Sequence, residues 1–325
     1  MVIHTRFAPS PTGRLHLGHA WSAIQAHDFA RGQGGRFSLR IEDIDGTRSR
    51  PEHVAAILAD LEWLGLGWDG EVSFQSQRLP RYEAALDRLR AMGLLYPCFC
   101  TRADIAASLS APHGPEGAVY PGTCRGLAAP DLSRPHCWRL DVAGALHKLS
   151  VTPDLFRGPP GDRAQVSSLQ QEPRVHGPAE PWTPEQVRGD GGSGAALTFH
   201  DAFAGWVRAN PLPHGDVVLA RKDAPASYHL AVTVDDAAQA ITHVVRGKDL
   251  FEATHIHRLL QALLDLPTPE YRHHVLLAAE DGTRLAKRHG APTLEAMRLA
   301  GEDGRALADR LRRGELPVGI AMGKD

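Results

Sequence analysis

The chain has 325 residues, and its 36 lysine and arginine residues are balanced by 38 aspartate and glutamate residues, for a formal net charge of −2. This balance excludes a global basic field, so a nucleic-acid partner would be bound through a local patch. The sequence contains no apolar run of membrane length and no signal-peptide pattern, and its four cysteines are irregularly spaced. We therefore expect a cytoplasmic protein without a membrane partner, whose thiols bind metal or are buried.

The first stretch of the chain predicts a strand, a rigid turn and a helix. Apolar residues mark the strand up to Phe7, and the turn runs from Pro9 to Gly13, where prolines alternate with polar residues. From Leu15 onward the apolar positions recur at helical spacing. Such a turn directs backbone N–H groups and the positive end of the helix dipole at one point, and this geometry predicts an anion site.

Two histidines stand in the first turn of this helix. His16 and His19 are three residues apart and therefore project from one face, while Gly18 leaves room for a flat group to lie against the backbone. A bare H-x-x-H pair in an arbitrary sequence is more often solvated or capping. The Pro-Ser-Pro-Thr-Gly segment that precedes this pair makes it far more specific.

Regular alternation of strands and helices follows. Residues 36–45 predict a second strand that ends in carboxylates, among them Glu42, a position suited to binding an amine or a ribose hydroxyl. Residues 51–66 and 82–92 have the apolar spacing of amphipathic helices. This alternation predicts an α/β fold with a doubly wound parallel, Rossmann-like sheet.

The next segment carries the cysteines. Cys98 and Cys100 form a C-x-C pair and Cys124 follows, so that three thiolates with a fourth ligand from nearby would make a tetrahedral zinc site. His113 and Cys137 are the chemically orthodox candidates for that fourth ligand. Burial of the cysteines as small apolar residues is the competing interpretation, because a C-x-C pair is a weaker pattern than paired C-x-x-C motifs.

The composition changes abruptly at residues 157–195, which are rich in Pro, Gly, Gln and Ser and predict an irregular surface insertion. Apolar strands follow at 216–223 and 241–250, and we assign both to the second half of the parallel sheet. Tyr228 and Arg246 stand near the ends of these strands as candidate functional groups. The alternatives are that Tyr228 is a core aromatic residue and that Arg246 is a surface cap.

Several motifs together carry a resemblance to the class I aminoacyl-tRNA synthetases of the glutamyl branch. The Pro-Ser-Pro-Thr-Gly lead-in with its H-x-G-H pair resembles the nucleotide-binding signature of that family, and Arg-Ile-Glu-Asp-Ile-Asp resembles its glutamyl form. Residues 281–291 stand where the family carries its mobile lysine loop. Arg284 and Ala286 depart from the usual Lys and Ser of that loop, whereas Lys287 matches the catalytic lysine.

The resemblance implies roles for individual residues. An arginine fork would bind the side-chain carboxylate of glutamate, and a carboxylate would hold its amino group. The implied glutamate-binding residues are Arg6, Ala8, Ser10, Glu42, Tyr228 and Arg246. The implied catalytic residues are His16, His19 and Lys287. The implied ATP-binding residues, with Mg²⁺ on the phosphates, are Pro9, Gly18, His19 and Lys287. A structural zinc ion would be held, with a tyrosine oxygen as fourth ligand, by Cys98, Cys100, Tyr120 and Cys124.

The resemblance covers almost all of the chain except residues 157–195. A full glutamyl-tRNA synthetase would continue with a large anticodon-binding region, so this chain best resembles the truncated relatives, the glutamyl-queuosine tRNA(Asp) synthetases. The expected first half of the Rossmann-like domain is residues 1–96, and an inserted zinc-bearing acceptor-type subdomain follows at 97–200. The second Rossmann-like half is expected at 201–278, and a lysine loop with a helical tail at 279–325. No anticodon-binding domain is expected.

These relatives activate glutamate without tRNA and transfer it to the queuosine base in the anticodon of tRNA(Asp). The implied partners are therefore ATP, L-glutamate and that anticodon loop, and we expect a monomer. The alternatives are a short glutamyl-tRNA synthetase that charges a tRNA 3′ end, glutamate adenylation for another carrier, and a catalytically silent tRNA-binding paralogue. The intact histidine pair and Lys287 argue against a silent paralogue.

Overall fold

The computed structural model describes residues 2–107, 119–151, 196–221, 223–279 and 293–323, and within them the chain forms twelve strands and nine α-helices. The strands are β1 (His4–Phe7), β2 (Arg36–Ile41), β3 (Ser73–Phe74), β4 (Leu95–Cys98), β5 (Cys137–Leu140), β6 (Thr198–Asp201), β7 (Gly205–Arg208), β8 (Val218–Ala220), β9 (His243–Gly247), β10 (Glu270–His274), β11 (Leu277–Ala279) and β12 (Ile320–Met322). The helices are α1 (Leu17–Gly32), α2 (Pro51–Trp63), α3 (Leu79–Ala91), α4 (Arg102–Ala107), α5 (Val142–Val151), α6 (Tyr228–Ala238), α7 (Ala253–Leu263), α8 (Leu294–Leu299) and α9 (Gly304–Arg312).

Two largely parallel sheets form the centre of the fold. The first has the strand order β1-β2-β3, and all of its pairs are parallel. The second has the order β7-β6-β10-β9, in which β6, β10 and β9 are parallel and β7 is an antiparallel edge strand. Helices α1, α2 and α7 make the crossover connections that parallel neighbours require. The predicted α/β class with a parallel sheet is confirmed.

The two sheets meet where β1 and β9 begin. The backbone N–H of Thr242 donates to the His4 carbonyl at 3.0 Å, and the His4 N–H donates to Thr242 Oγ1 at 2.8 Å. Toward the carboxyl ends of the strands, the Arg6 side chain crosses to β9, and its Nη1 donates to the Val245 carbonyl at 3.4 Å. These carboxyl ends border a crevice where the strand order reverses, the position at which doubly wound folds bind ligands.

Helix α1 packs closely against both sheets because one side of it carries small residues. Ala20, Ala23, Ala26 and Ala30 are all fully buried, and their small side chains allow the helix to approach the strands. Larger residues complete the same core from β2 and α9. Each buried leucine or phenylalanine contributes about 1.5–3 kcal/mol to the free energy of folding. The main core residues of these elements are Leu17, Ile24, Phe37, Leu39, Ile41, Leu307 and Leu311.

A separate antiparallel sheet has the order β4-β5-β8 and carries the cysteines. Cys98 of β4 pairs with Cys137 of β5, and Arg139 of β5 pairs with Val218 of β8. The prediction that both later apolar strands join the parallel sheet is therefore wrong for the first of them, β8. A short apolar run predicts burial, but it does not reveal the strand with which it pairs.

The last described elements are two capped helices and a small sheet. The side chains of Thr293 and Asp303 cap α8 and α9 by accepting the N–H groups of Ala296 and Ala306 at 3.1 Å each. Strands β11 and β12 form a two-stranded antiparallel sheet. The predicted insertion at residues 157–195 lies outside the described residues. Within the described part of the chain, no helix has the length and apolar character needed to cross a membrane.

Candidate active site

A pocket of about 740 Å³ opens at the carboxyl ends of β1 and β9, a volume typical of small-molecule sites. Its walls come from both halves of the chain, with the turn after β1 and the start of α1 on one side and β9 and the start of α6 on the other. Lys287 lies outside the described residues. All the other predicted glutamate and ATP residues line this pocket: Arg6, Ala8, Pro9, Ser10, His16, Gly18, His19, Glu42, Tyr228 and Arg246.

The two histidines of the H-x-G-H motif cap α1 reciprocally. His16 is the N-cap residue, and its Nδ1 accepts the N–H of Gly18 at 3.1 Å, while Nδ1 of His19 accepts the N–H of His16 at 3.1 Å. Because Nδ1 is an acceptor in each ring, the proton of the neutral imidazole is carried on Nε2. The motif therefore presents two Nε2–H donors at a helix N-terminus, whose dipole favours anions.

The neighbouring histidine limits the space beside the glycine of this motif. A Cβ atom on Gly18 would lie 3.0 Å from His16 Cε1 and 3.2 Å from His16 Nδ1, closer than ordinary van der Waals contact. The His16 ring also packs against His19, with 3.9 Å between the ring centroids. The sequence predicts that Gly18 leaves room for a flat ligand group, whereas the group that the structure places closest to it is the His16 ring.

Both ends of the segment that contains Lys287 are attached near this helix start. On one side, Leu276 and Leu277 line the pocket. On the other side, the N–H of Leu294 donates to the Leu15 carbonyl at 2.9 Å, and Thr293 forms an antiparallel bridge with His16. The residues that flank the lysine segment therefore lie beside the H-x-G-H motif.

A buried ionic network supports the pocket. Arg6 donates from Nε and Nη2 to the two carboxylate oxygens of Asp236, at 3.0 and 3.3 Å. Arg40, which is fully buried, donates from Nη1 to Asp236 Oδ1 and to Gln239 Oε1, both at 2.7 Å. Burial disfavours the charge of Asp236, but the two arginines outweigh it and lower the pKa of this carboxyl. The network thereby joins β1 and β2 to α6.

Glu42 places a carboxylate at the end of β2, inside the pocket. Its backbone N–H donates to the Pro9 carbonyl at 3.0 Å, and Ser10 Oγ donates to the Glu42 carbonyl at 3.1 Å. Arg40 Nη2 lies 3.4 Å from Glu42 Oε1. Burial raises the pKa of Glu42 to about 7, against the attraction of Arg40 and Arg6. A cation that enters the pocket would therefore favour the charged form of Glu42.

Arg246 is a buried cation with uncharged partners. It is 5% exposed, and within the described residues it forms no ion pair with a carboxylate. Its guanidinium donates from Nε to His273 Nε2 at 3.0 Å, from Nη2 to Thr254 Oγ1 at 2.7 Å and to the Leu250 carbonyl at 3.1 Å, and from Nη1 to Tyr228 Oη at 3.2 Å, while Nη1 lies 3.4 Å from His257 Nδ1. Its longest contacts are on the Nη1 side, next to the pocket residue Tyr228.

The histidines around Arg246 are neutral at physiological pH. Burial, together with the Arg246 charge, lowers the pKa of His257 well below its usual range. Burial also lowers the pKa of His273 to about 4, and that of His229, which contacts His257 at 3.2 Å, to about 4. The positive charge of Arg246 is therefore not balanced by a directly bonded group of the described chain, and it would attract an anionic ligand.

Sequence reasoning missed the charged groups behind the pocket walls. Asp235 and Asp236 are buried at the end of an apolar run in α6, and Arg40 is buried between two apolar neighbours in β2. Charged residues are rarely buried unless they are paired. A charged residue inside an apolar run was therefore the sequence signal that could have indicated a buried ion pair. His273 and Asp201 gave no comparable signal, because they stand in short strands with mixed sequence.

The predicted metal ligands converge in the antiparallel sheet. The sulfurs of Cys98, Cys100 and Cys124 all lie within 4.8 Å of one another, and Cys100 Sγ is 3.6 Å from Cys124 Sγ. Zn–S bonds of about 2.3 Å in a tetrahedron place sulfurs about 3.8 Å apart, so this cluster is compatible with a zinc site. Burial opposes the thiolate of Cys98, but hydrogen bonds from Tyr120 and Arg139 outweigh it and lower its pKa to about 7.

The candidates for the fourth ligand differ in position. Tyr120 Oη lies 3.8 Å from Cys100 Sγ and accepts the Cys124 N–H at 2.7 Å, which places the phenol at the cluster. Cys137 instead directs its Sγ to the Cys98 carbonyl at 3.5 Å, and it is not part of the three-sulfur cluster. His113 lies outside the described residues. Among the described candidates, Tyr120 has the better position.

Comparison with known proteins identifies the class to which this fold and pocket belong. A family model described as the catalytic domain of class I tRNA synthetases (E and Q) matches residues 2–126 and 168–316. The chain therefore belongs to the class I tRNA synthetases of the E and Q type. It also resembles solved glutamate–tRNA ligases of Elizabethkingia meningosepticum and Elizabethkingia anophelis, with TM-scores of 0.63 and 0.64, 25% identity to each and 90% of this chain covered. It covers 54% and 55% of those chains, and so spans about half of their length.

Curated relatives are more similar in sequence. A protein of Rhodobacter capsulatus named glutamyl-Q tRNA(Asp) synthetase is 46% identical over 306 residues, which cover 91% of this chain and 95% of the relative. Proteins of the same name from Symbiobacterium thermophilum and Nocardia farcinica are 42% and 43% identical, over 91% of this chain and 81% and 79% of theirs. The predicted resemblance to this branch of the family is confirmed.

Proposed function

We propose that this protein activates L-glutamate with ATP and transfers it to the queuosine base in the anticodon of tRNA(Asp). The observation that carries the glutamate assignment is the pairing of two unlike charges in one pocket. Arg246 supplies a buried cation with neutral partners, and Glu42 supplies a carboxylate whose pKa burial raises to about 7. An amino acid with an anionic side chain satisfies both groups at once, since its carboxylate meets the guanidinium and its ammonium meets Glu42.

Arg246 is better placed than Arg6 to bind the side-chain carboxylate. The charge of Arg6 is already paired with the carboxylate of Asp236, at 3.0 and 3.3 Å, whereas the hydrogen-bond partners of Arg246 among the described residues are uncharged. Arg6 nevertheless lines the pocket and adds positive potential to it. Tyr228, whose hydroxyl accepts from Arg246 at 3.2 Å, would lie along the substrate side chain. Ala8 and Ser10, in the turn after β1, would complete the wall on the opposite side.

The start of α1 is suited to the triphosphate of ATP. His16 and His19 present Nε2–H donors there, and the helix N-terminus adds its dipole. Pro9 and Gly18 border the same part of the pocket. Lys287 would add a cation from the segment whose flanking residues lie beside His16. Mg²⁺ would accompany the phosphates and share their charge.

The chemistry requires no nucleophile from the protein. The α-carboxylate of glutamate attacks the α-phosphorus of ATP, the bond to pyrophosphate breaks, and glutamyl-adenylate forms. The residues named above orient the two substrates and neutralise charge on the phosphorus as it becomes five-coordinate. A hydroxyl of the acceptor then attacks the carbonyl carbon of the adenylate, forming an ester and releasing AMP.

The zinc site would be structural. Cys98, Cys100 and Cys124, with Tyr120 as the fourth ligand, form a closed set of donors, and structural zinc sites are of this closed type. The cluster fixes the loop after β4 to the segment that contains Cys124. We expect zinc to stabilise this sheet and to take no part in adenylate formation.

The acceptor assignment is supported by relatives. The Rhodobacter capsulatus protein named glutamyl-Q tRNA(Asp) synthetase matches this chain at 46% identity over 95% of its own length, whereas the glutamate–tRNA ligases match at 25% over about half of theirs. Proteins that recognise a specific RNA base mostly bind single-stranded loops, where the base is unstacked, and an anticodon loop is of this kind. We further expect the protein to act as a monomer.

One experiment separates the candidate functions. Glutamate-dependent ATP–pyrophosphate exchange is measured without tRNA, and glutamate transfer is measured with tRNA(Asp) that contains or lacks queuosine, and with tRNA(Glu). We expect exchange without tRNA and transfer only to the queuosine form. Transfer to tRNA(Glu) would make the protein a short glutamyl-tRNA synthetase, and a protein without exchange under any condition would be a binding paralogue.

A further inference from the structure

A chain of buried side chains leads from β6 to the pocket through Arg246. Asp201, at the end of β6, is 1% exposed, and its Oδ2 lies 2.7 Å from Nδ1 of His273. The other ring nitrogen of His273, Nε2, accepts from Nε of Arg246 at 3.0 Å. A carboxylate, an imidazole and a guanidinium are therefore bonded in series, and only the guanidinium reaches the pocket.

The hydrogen bonds fix the tautomer of the imidazole. Asp201 is held ionised because the His273 bond and the N–H groups of Phe203 and Ala204 outweigh its burial, so that its pKa is lowered to about 2. A carboxylate only accepts hydrogen bonds, so His273 carries its proton on Nδ1 and has a lone pair on Nε2. That lone pair is the acceptor that the Nε–H group of Arg246 requires. The opposite tautomer would place two N–H groups against each other.

This arrangement holds the arginine without a direct ion pair. A carboxylate in direct contact with Arg246 would compete with an anionic substrate for the same fork, as Asp236 does at Arg6. A neutral imidazole fixes the Nε side, while Thr254 and Leu250 fix Nη2 at 2.7 and 3.1 Å. The Nη1 side, beside Tyr228, then keeps a constant position toward the pocket.

We propose that Asp201 and His273 are positioning residues that determine the affinity of this protein for the carboxylate of its amino-acid substrate. The inference rests on the proposed function, since it assigns the anionic group that Arg246 binds. The two residues act through Arg246 and do not touch the substrate. They are specific to the amino-acid half of the site, because the ATP half is built on α1.

The test measures ATP–pyrophosphate exchange for the wild type and for His273→Phe, His273→Gln and Asp201→Asn. The phenylalanine keeps a flat ring beside Tyr271, with which His273 stacks at 5.7 Å, but lacks the acceptor. Asparagine can keep its oxygen on the Phe203 and Ala204 N–H groups. Its amide then faces both the backbone N–H and the ring Nδ1 of His273, and it favours the opposite tautomer of the ring. For both variants we expect the KM for glutamate to rise about 10- to 100-fold, with the KM for ATP and the kcat at saturating glutamate within about twofold.

The glutamine variant provides the rescue. Its side-chain oxygen can accept from Arg246 while its amide donates to Asp201, so His273→Gln should recover most of the lost affinity. His274→Gln is the matched control, since His274 is the next residue of β10, is equally buried at 4%, and bonds to Ser22 instead of Arg246. We expect a KM for glutamate close to that of the wild type in this control. Thermal unfolding of each variant establishes that it is folded.

Three outcomes would overturn the inference. These are an unchanged KM for glutamate in folded His273→Phe and Asp201→Asn, a parallel rise in the KM for ATP, and an equal effect of His274→Gln. If His273→Phe does not fold, the KM of Asp201→Asn for glutamate tests the inference by itself, because this substitution replaces only one oxygen by an NH2 group of similar size. A wild type without glutamate-dependent exchange would remove the proposed function and this inference together, whereas an active wild type with unshifted variants removes only the inference.

Discussion

Arg6 and Asp236 are joined by a buried two-point contact, at 3.0 and 3.3 Å, although 230 residues separate them in the chain. Arg6 belongs to β1, in the first sheet, and Asp236 belongs to α6, which precedes β9 of the second sheet. Arg40 adds a third bond to the same carboxylate, at 2.7 Å. One carboxylate of the second half therefore holds two cations of the first half, and Arg40 also lies 3.4 Å from Glu42 in its own half.

Removing the charge of Asp236 should destabilise the whole protein. In Asp236→Asn, the buried Arg6 and Arg40 lose their shared counter-charge, and we expect a loss of about 3–5 kcal/mol in the free energy of unfolding. Urea denaturation followed by circular dichroism measures it. Glu83→Gln, in the exposed pair with Arg90, is the control and should leave the midpoint nearly unchanged. A midpoint for Asp236→Asn equal to that of the wild type would contradict the role given to the network.

Gly18→Ala should reduce catalysis by moving His16. The added Cβ would lie 3.0 Å from the His16 ring, so the ring must shift and its Nε2–H donor moves with it. The required shift is a few tenths of an ångström, so we expect kcat to fall by less than the roughly 10²- to 10³-fold that complete loss of one such donor costs. Gly32→Ala is the matched control in the same helix, because a Cβ there meets no atom within 4 Å. Its exchange rate should stay normal and its stability should rise slightly.

Glu42 should make glutamate activation depend on pH near neutrality. Its pKa in the folded protein is raised to about 7, so the carboxylate that would receive the substrate ammonium is mostly protonated at pH 6 and mostly ionised at pH 8. We therefore expect kcat/KM for glutamate to rise with pH up to about 7 and then to level off. Glu42→Gln should lower kcat/KM and abolish the dependence. An equal dependence in that variant would show that another group titrates.

The raised pKa of Glu42 affects stability in the opposite direction from activity, because it makes the folded protein less stable as the pH rises. An acid whose pKa is higher in the folded than in the unfolded state is stabilised in its protonated form, so Glu42 favours folding at low pH. That contribution is lost as the pH rises from the usual range of a glutamate toward 7. Glu42→Gln, which cannot ionise, should be more stable than the wild type at pH 8, and this difference should shrink at pH 5. Thermal unfolding at the two pH values measures it.

Zinc binding should distinguish the cysteines. We expect one zinc ion per chain by elemental analysis, lost in Cys100→Ser and Cys124→Ser but retained in Cys137→Ser, whose sulfur contacts the Cys98 carbonyl instead of the cluster. Tyr120→Phe should bind zinc more weakly, since the phenol lies 3.8 Å from Cys100 Sγ. Full zinc affinity in Tyr120→Phe would exclude the phenol as a ligand. Zinc loss in Cys137→Ser would assign that thiol to the site.

Patterns of adjacent residues predicted the pocket wall at the start of α1. Contacts between distant parts of the chain determine the buried charged groups behind the pocket. His16, Gly18 and His19 follow from a turn and a helix start, which are encoded by adjacent residues. Arg40 and Asp236 are 196 residues apart, and no spacing rule connects them. The strand β8 illustrates the same limit, because its apolar residues predicted burial correctly while the choice of sheet depended on its pairing with β5.

The pocket walls also have a thermodynamic meaning. Glu42 and the α1 histidines come from the first half of the chain, and Tyr228 and Arg246 come from the second, so a small molecule bound between them contacts both halves. Such a ligand binds the assembled chain and not the separated halves, and its binding free energy adds to the stability of the whole. At a hundred times its dissociation constant it contributes about 2.7 kcal/mol. A ligand in this pocket therefore stabilises the association of the two halves of the chain. The rise in melting temperature then reports the fraction of the protein that has the ligand bound.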